Sequence, residues 1–393
     1  NSDFHEMYPI FPIINITCNS FGTIVSNKDT DDIENNIFEF MLIDEAGTIP
    51  TSKMVILNCA KKVMLFGDTQ QLKPVFSYTS RTEKNILNNF FDNNEEILIV
   101  EEYFSCADKD ANCLKQFQKN NNAMDVANSS CSYLLPYNAS KMKGDIWLKE
   151  HFRCQTSIVN ISNEISYFNE IEPMKTLHEK TFWENLLLIE HSHQKQSNNT
   201  NIGEIKEIIK FIQDNREKYK NMLSILKSKE DKIVEVDDMS YYNSIGIITP
   251  FVNQEMLIQK KLKEEGLESI KVGTVHKYQG SEREIIIFSS VYNNETKNTQ
   301  NMFFNRNEPD MINVAVTRAK EVFVLFGCSE ILNCNNTYSG IMVQHIQQHQ
   351  NLFKLKSKHE IIYKSRMGTV SDYEEMQNFI KLLKMIKELL YTE

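Results

Sequence analysis

Two adjacent carboxylates, Asp44 and Glu45, close the apolar run Phe40-Met41-Leu42-Ile43 in the segment MLIDEAGTIP. Such a pair suits nucleotide hydrolysis, one acid holding Mg2+ and the other orienting and deprotonating water. A polar strand terminus has the same appearance, and the pair alone does not separate the two. Four further segments carry residues able to meet phosphate. VMLFGDTQQLKPV (63–75) sets Gly67, Asp68 and Gln71 directly behind an apolar run. VGTVHKYQGSEREIIIFSS (272–290) sets Thr274, Gln279, Gly280 and Glu282 just ahead of one. NVAVTRAKEVFVLFG (313–327) carries Arg318 and Lys320 on an expected short helix, and HFRCQTSIVNISNEISYFN (151–169) carries Arg153 ahead of a helical pattern. Each has a structural alternative taken singly: Gly67-Asp68 a turn, Gly280 a strand-entry glycine, Arg318 a solvated helix residue.

These residues need elements to position them, and the apolar pattern supplies them. Strand-like runs occur at Phe40–Ile43, Val63–Phe66, Leu186–Ile189, Ile245–Thr249, Lys271–Val275, Ile285–Val291 and Val322–Phe326. Helical spacing marks Glu204–Gln213 and Gln254–Glu265. Alternating strand and helix predicts α/β architecture with parallel sheets and crossover helices, and two clusters of strands predict two domains. The stretch between Phe76 and Gly144, rich in Asn, Asp, Glu and Lys, reads as a helical and loop connector; 191–201 and 293–307 read as surface loops. Ser371–Leu390 has the periodicity of an amphipathic helix suited to packing on a domain or a protein partner.

Composition narrows the class. The chain has 393 residues, 41% hydrophobic and 24% charged, as in globular proteins with full-sized cores. It has no apolar run of membrane-spanning length and its N-terminal residues lack the features of a secretory signal, so a soluble, intracellular protein is expected. Eight cysteines without a CxxC read as reduced thiols. His191-x-His193 and His345-x-x-x-His349 have ligand spacing, but Gln stands in HIQQH where a metalloprotease needs acid, so surface histidines are the reading. A net charge of −10 gives no bulk attraction for nucleic acid, although a strand-tracking enzyme needs only a local groove.

Taken together and in this order, the segments resemble the motifs of superfamily-1 nucleic-acid helicases, in the branch of the nonsense-mediated-decay helicase and senataxin. IDEAG is similar to motif II, GDTQQLKP to motif III, HFRC to the arginine motif after it, SIGIITPFVNQ to the next, TVHKYQGSE to motif V and NVAVTRAK to motif VI. The resemblance runs over roughly residues 10–330. It implies an α/β fold of two RecA-like P-loop NTPase domains, the first incomplete: 1–145 with the connector at about 76–145, then 146–330, then a helical extension at 331–393. It implies ATP and Mg2+ as cofactors, single-stranded DNA or RNA as partner, and translocation driven by ATP hydrolysis between the domains. By the same resemblance Asp44 holds Mg2+, Glu45 activates water, Gln71 senses the γ-phosphate or the attacking water, and Arg153 and Arg318 are arginine fingers. Gly67, Asp68, Gly280 and Glu282 face the nucleotide; Thr249, Pro250, Thr274 and Val275, with Thr17, face the nucleic-acid backbone.

Departures from that pattern set the rival expectations. No GxxxxGK[ST] occurs, so the phosphate-cradling loop is not among these residues, and a piece of a longer helicase is expected ahead of a degenerate relative. His276 stands where relatives carry Asp, Ile312 where Arg is common, and Phe152 where Tyr is usual. The rivals are a non-catalytic nucleic-acid-binding or scaffold module and a P-loop hydrolase that does not move along a strand.

Overall fold

The computed structural model describes residues 13–18, 20–21, 35–74, 122–124, 127, 147–175, 183–228, 234–293 and 309–366. Most of the polar connector, most of the 293–307 stretch and the amphipathic segment Ser371–Leu390 lie outside the described residues. Within them the architecture is α/β with parallel sheets. β1 (Phe38–Ile43) and β2 (Ala60–Leu65) pair in parallel, Phe40 opposite Lys62 and Ile43 opposite Leu65. A parallel pair needs a crossover, and the short 3-10 turns Ala46–Thr48 and Thr51–Cys59 provide it. Ile43, Ala46, Ile49, Ile56 and Cys59 are buried beneath them with Phe21 and Ala123.

The larger sheet has five parallel strands in the order β5-β9-β8-β6-β7, namely β5 (Leu186–Glu190), β6 (Ile245–Thr249), β7 (Lys271–Thr274), β8 (Arg283–Ser289) and β9 (Ala319–Gly327). Two short strands, β3 (Glu150–His151) and β4 (Glu172–Pro173), pair in parallel ahead of it. A strand turns alternate side chains to opposite faces, so a continuous apolar run is buried only between two layers. β8 displays this: Ile285 and Ile287 enter one core cluster, Ile286 and Phe288 the other.

The first cluster is closed by α2 (Ile202–Asp214), α3 (Arg216–Lys227) and α5 (Val252–Glu264) through Ile205, Ile212, Met222 and Ile258. α4 (Asp238–Asn243) adds Tyr241, whose hydroxyl donates to the Ile212 carbonyl at 2.8 Å. The second cluster is closed by α1 (Thr156–Ser162), α7 (Asp310–Thr317) and α9 (Tyr338–Arg366). Met342, Val343 and Ile346 in the first turns of α9 are fully buried there, so that helix begins as part of this core. Two short helices, α6 (Val275–Tyr278) and α8 (Ser329–Leu332), follow β7 and β9.

The strands predicted from apolar runs are present with ends moved by a few residues. Two placements are corrected: His191 is buried, not a surface histidine, and Lys320 lies on β9, not on a helix. α7 stops at Thr317, and β9 starts at Ala319 because the Arg283 amide donates to the Arg318 carbonyl at 3.0 Å and draws the chain into the sheet.

A buried carboxylate ties α2 to the carboxyl ends of β5 and β8. Asn201 caps α2, accepting from the Glu204 amide at 3.0 Å. Glu204, with no exposed surface, takes a hydrogen bond from His191 Nε2 at 2.6 Å, one from the Ser289 hydroxyl and one from the Val291 amide at 3.0 Å. Replacing Glu204 with Ala orphans these donors, at an expected cost of about 3–5 kcal/mol. Urea unfolding should read this as a lowered midpoint with an unchanged m-value.

Candidate active site between the two sheets

The acids of IDEAG and the turn of GDTQQ are held together by backbone on backbone. The Ala46 amide donates to the Phe66 carbonyl at 2.8 Å, and the Phe66 amide to the Ile43 carbonyl at 2.7 Å. A Cβ on Gly47 would come within 2.8 Å of the Asp68 carbonyl oxygen, and one on Gly67 within 2.8 Å of the Gly47 nitrogen. Glycine at both positions is therefore what lets the two strand ends meet. Glu45 adopts the left-handed region at φ 53 and ψ 37, a conformation non-glycine residues enter at a cost. Its amide donates to Asp44 Oδ1 at 2.9 Å, and its carbonyl accepts from Thr48 Oγ1 at 2.8 Å.

A cleft of about 590 Å³ opens beside this junction, lined by Gly67, Asp68 and Gln71 on one side and by His151, Arg153, Tyr167 and Arg318 on the other. Contacts cross it. Tyr167 donates to Asp68 Oδ2 at 2.5 Å, Asn313 Nδ2 donates to the Gln70 carbonyl at 2.8 Å, and Arg318 Nη2 approaches Gln71 Oε1 at 3.5 Å. Leu72 follows Gln71 into the core of the larger sheet, where it is 3% exposed.

The two arginines differ in setting. Arg318 is 3% exposed and folds back on the end of its own helix, Nε donating to the Val314 carbonyl at 3.2 Å and Nη2 to Thr317 Oγ1 at 3.4 Å. A cation there meets the negative end of the α7 dipole. Burial draws the Arg318 pKa below its ordinary value, the like charge of Arg153 adds to this, and Glu45 and Glu282 oppose it. Arg153 is about half exposed and pairs through Nε with Glu282 at 2.6 Å. Glu282 also holds Lys320 at 2.7 Å. Burial pushes the Glu282 carboxyl up, but Lys320, Arg153 and Arg318 outweigh it and hold the carboxyl below its ordinary value. Cys154, fully buried, donates its thiol to the Thr317 carbonyl, and burial pushes it up to about 12, leaving an unreactive thiol.

Gln71, Asp68, Gly67, Arg153 and Arg318 thus share one cleft, Glu45 acts on it by charge, and Glu282 joins it through Arg153. Gly280 has φ +73 with open space around it, so its glycine serves the turn that brings Glu282 forward. Thr249, Pro250, Thr274 and Val275 gather elsewhere, at the carboxyl ends of the neighbouring strands β6 and β7, where Thr249 stands opposite Thr274. All four are buried, Thr249 and Val275 fully, so their side chains shape that edge from beneath. Thr17 is exposed beside the smaller core, hydrogen-bonded to Ser20 at 3.1 Å. Ile312 is fully buried in the core, which accounts for an apolar residue where the motif usually has Arg. Tyr167, Asn313 and His151 were not predicted to act in this cleft. Asn313 opens the NVAVTRAK segment, whereas nothing in ISYFN marks Tyr167.

The family model described as an AAA domain matches residues 133–330, just over half of the chain. An uncharacterised ATP-dependent helicase of Mycoplasma genitalium is 25% identical over 86% of this chain and 26% of its own length. The DNA replication ATP-dependent helicase/nuclease DNA2 of Gallus gallus is 23% identical over 92% of this chain and 30% of its own. A regulator of nonsense transcripts 1 homolog from Arabidopsis thaliana is 30% identical over 28% of this chain and 9% of its own. The chain therefore spans less than a third of the length of these curated relatives.

His151 gives the site a pH dependence. Its Nε2 accepts from the Cys154 amide at 3.1 Å, which requires the neutral ring. Burial lowers its pKa below the ordinary 6.5, and Arg153, Lys175 and Arg318 lower it further. As pH falls through about 6.5 the unfolded chain takes a proton that the folded one refuses, so stability present above that pH is lost below it. Unfolding measured between pH 7.5 and 5.5 should show a shallower loss for His151→Gln than for the wild type.

Proposed function

Because this chain belongs to the AAA domain family and stands among superfamily-1 helicases of the nonsense-transcript-regulator and DNA2 type, we propose that it supplies the hydrolytic half of an ATP-driven helicase or translocase acting on single-stranded DNA or RNA. The observation that carries the reading is the meeting of Gln71 and Arg318, 3.5 Å apart, from two different sheets, with Glu45 acting by charge on the same guanidinium. Phosphoryl transfer is mainly positioning and neutralisation of charge on the phosphate oxygens, and it needs a base, a γ-phosphate sensor and cations that converge. In this reading residues 1–145 and 146–330 are two RecA-like domains whose meeting place is the cleft.

Each side chain then has a role. Glu45 orients and deprotonates the attacking water, and its strained backbone fixes where that carboxylate stands. Gln71 contacts the γ-phosphate or the water. Arg318 and Arg153 stabilise charge on the transferring group, and Glu282 releases Arg153 and turns toward the nucleotide as it does so. Asp44 suits Mg2+: it is exposed at a strand end, Oδ1 accepts from the Glu45 amide, and Oδ2 has no protein partner among the described residues. No three His, Cys, Asp or Glu side chains gather as a metal cage among those residues, and Mg2+ is ordinarily held by one or two carboxylates with phosphate and water. Bound there, the metal would neutralise phosphate charge.

Nucleic acid would run over the carboxyl ends of β6 and β7, by Thr249, Pro250, Thr274 and Val275, with Thr17 contributing from the smaller unit. Contacts of this kind grip the backbone without reading sequence. Closing of the cleft on nucleotide and its reopening after hydrolysis would move one grip against the other. The sequence pattern of the C-terminal segment Ser371–Leu390, outside the described residues, would suit a protein partner.

In the full-length protein, Glu45→Gln should lower the turnover of ATP with saturating single-stranded nucleic acid by about 10²–10⁴-fold, with nucleotide affinity within about threefold. Arg318→Ala should lower it by about 10³-fold or more. Equal turnover by the wild type and Glu45→Gln would overturn the assignment.

A further inference from the structure

Tyr167 closes a five-residue π-helical segment, Asn163–Tyr167, that continues α1. An added residue in a helix turns the side chains after it by about 100°, and such π turns occur frequently at functional sites. Asn163 pins the segment by a double hydrogen bond, Nδ2 to the Ile171 carbonyl at 2.8 Å and Oδ1 from the Ile171 amide at 3.0 Å. Phe168 and Asn169 then take left-handed backbone and turn the chain away. The result is a buried phenol delivered across the cleft to Asp68.

The donors and acceptors around it can be ordered in only one way. Asn313 Nδ2 donates to the Tyr167 oxygen at 3.0 Å, which leaves the single phenolic proton for Asp68 Oδ2. The same carboxylate oxygen accepts from Gln71 Nε2 at 3.1 Å. An ionised carboxylate only accepts and a guanidinium only donates, so the Gln71 amide must present its nitrogen to Asp68 and its oxygen to Arg318. The chain runs from Asn313 through Tyr167 to Asp68, and from Arg318 through Gln71 to the same oxygen.

We propose that Tyr167 and Asn313 are positioning residues that set the orientation of the Gln71 side chain toward Arg318 through Asp68. The proposal rests on the hydrolytic reading of the cleft. Neither residue touches the reacting atoms. Their effect is to hold Asp68, so that Gln71 cannot turn its amide over and meet Arg318 with a second donor.

The experiment is a double-mutant cycle in the full-length protein with Tyr167→Phe, Gln71→Ala and the pair, measuring ATP turnover with saturating single-stranded nucleic acid. Tyr167→Phe should lower kcat by about tenfold and leave KM for ATP within about twofold. Added to Gln71→Ala it should cost nothing further, because residues acting as a unit are not additive. Asn313→Ala should behave as Tyr167→Phe does. Losses that multiply in the double mutant, an unchanged kcat in Tyr167→Phe, or a fall in kcat matched by a rise in KM and a lower Tm would each overturn it. Equal turnover by the wild type and Glu45→Gln would instead overturn the hydrolytic reading beneath it.

Discussion

A carboxylate half-buried where two packed units meet must find its donors in both, or the desolvation it suffers is not offset. Asp68 meets that requirement with the Gln70 amide at 2.8 Å and the Gln71 side chain at 3.1 Å from its own turn, and with the Tyr167 phenol from the other unit. Much of the cleft follows from this one constraint. With Asp68 satisfied from both directions, the turn behind β2 is anchored to α1, Leu72 can enter the core of the larger sheet, and Asn313 can reach the Gln70 carbonyl. Burial and the nearby Asp68 charge hold the Tyr167 phenol far above its ordinary pKa, so the proton that makes the link stays in place at physiological pH.

The sheets supply the other half of the geometry. Parallel pairing puts all the carboxyl ends of a sheet on one edge, and the polar residues gather there. Asp44 and Glu45 follow β1, Gly67 and Asp68 follow β2, and Thr249 and Thr274 close β6 and β7. Arg318 arrives differently, at the end of α7 and just before β9, because the sheet has taken the next residue into a strand. A helix end that must be satisfied and a cation that must be buried then serve each other through the Val314 carbonyl.

What was legible in the sequence follows the same division. Apolar runs are local and continuous, so each of the seven expected strands lies over most of its length within an observed one. Gly67, Asp68, Gln71 and Arg318 could be named because each stands in a short segment of unusual composition. Tyr167 could not, since its meaning depends on a π turn that rotates it and on an acid some hundred residues away that receives it. Helices α3 and α4 were also missed: α3 carries five charged side chains that dilute its apolar face, and α4 is too short for periodicity to register. Lys320 was expected on the short helix with Arg318, whereas pairing with β8 decides for strand.

Arg153 and Arg318 also divide the proposed work between a fixed charge and a mobile one. Arg318 is buried, bound to its own helix end and already within reach of Gln71, so little reorganisation separates its resting position from one that stabilises a transferring phosphoryl group. Arg153 is exposed and held by Glu282, an acid already neutralised on its other oxygen by Lys320. An ion pair so open to solvent is worth no more than about 1 kcal/mol, less than the attraction a polyphosphate would exert on a free guanidinium at close range. Lys320 keeps Glu282 paired after Arg153 leaves, so the exchange strands no charge. Under the proposed function the pair would restrain Arg153 until a competing anion arrives and then yield, which is the property required of a cation that is to act only in a closed state.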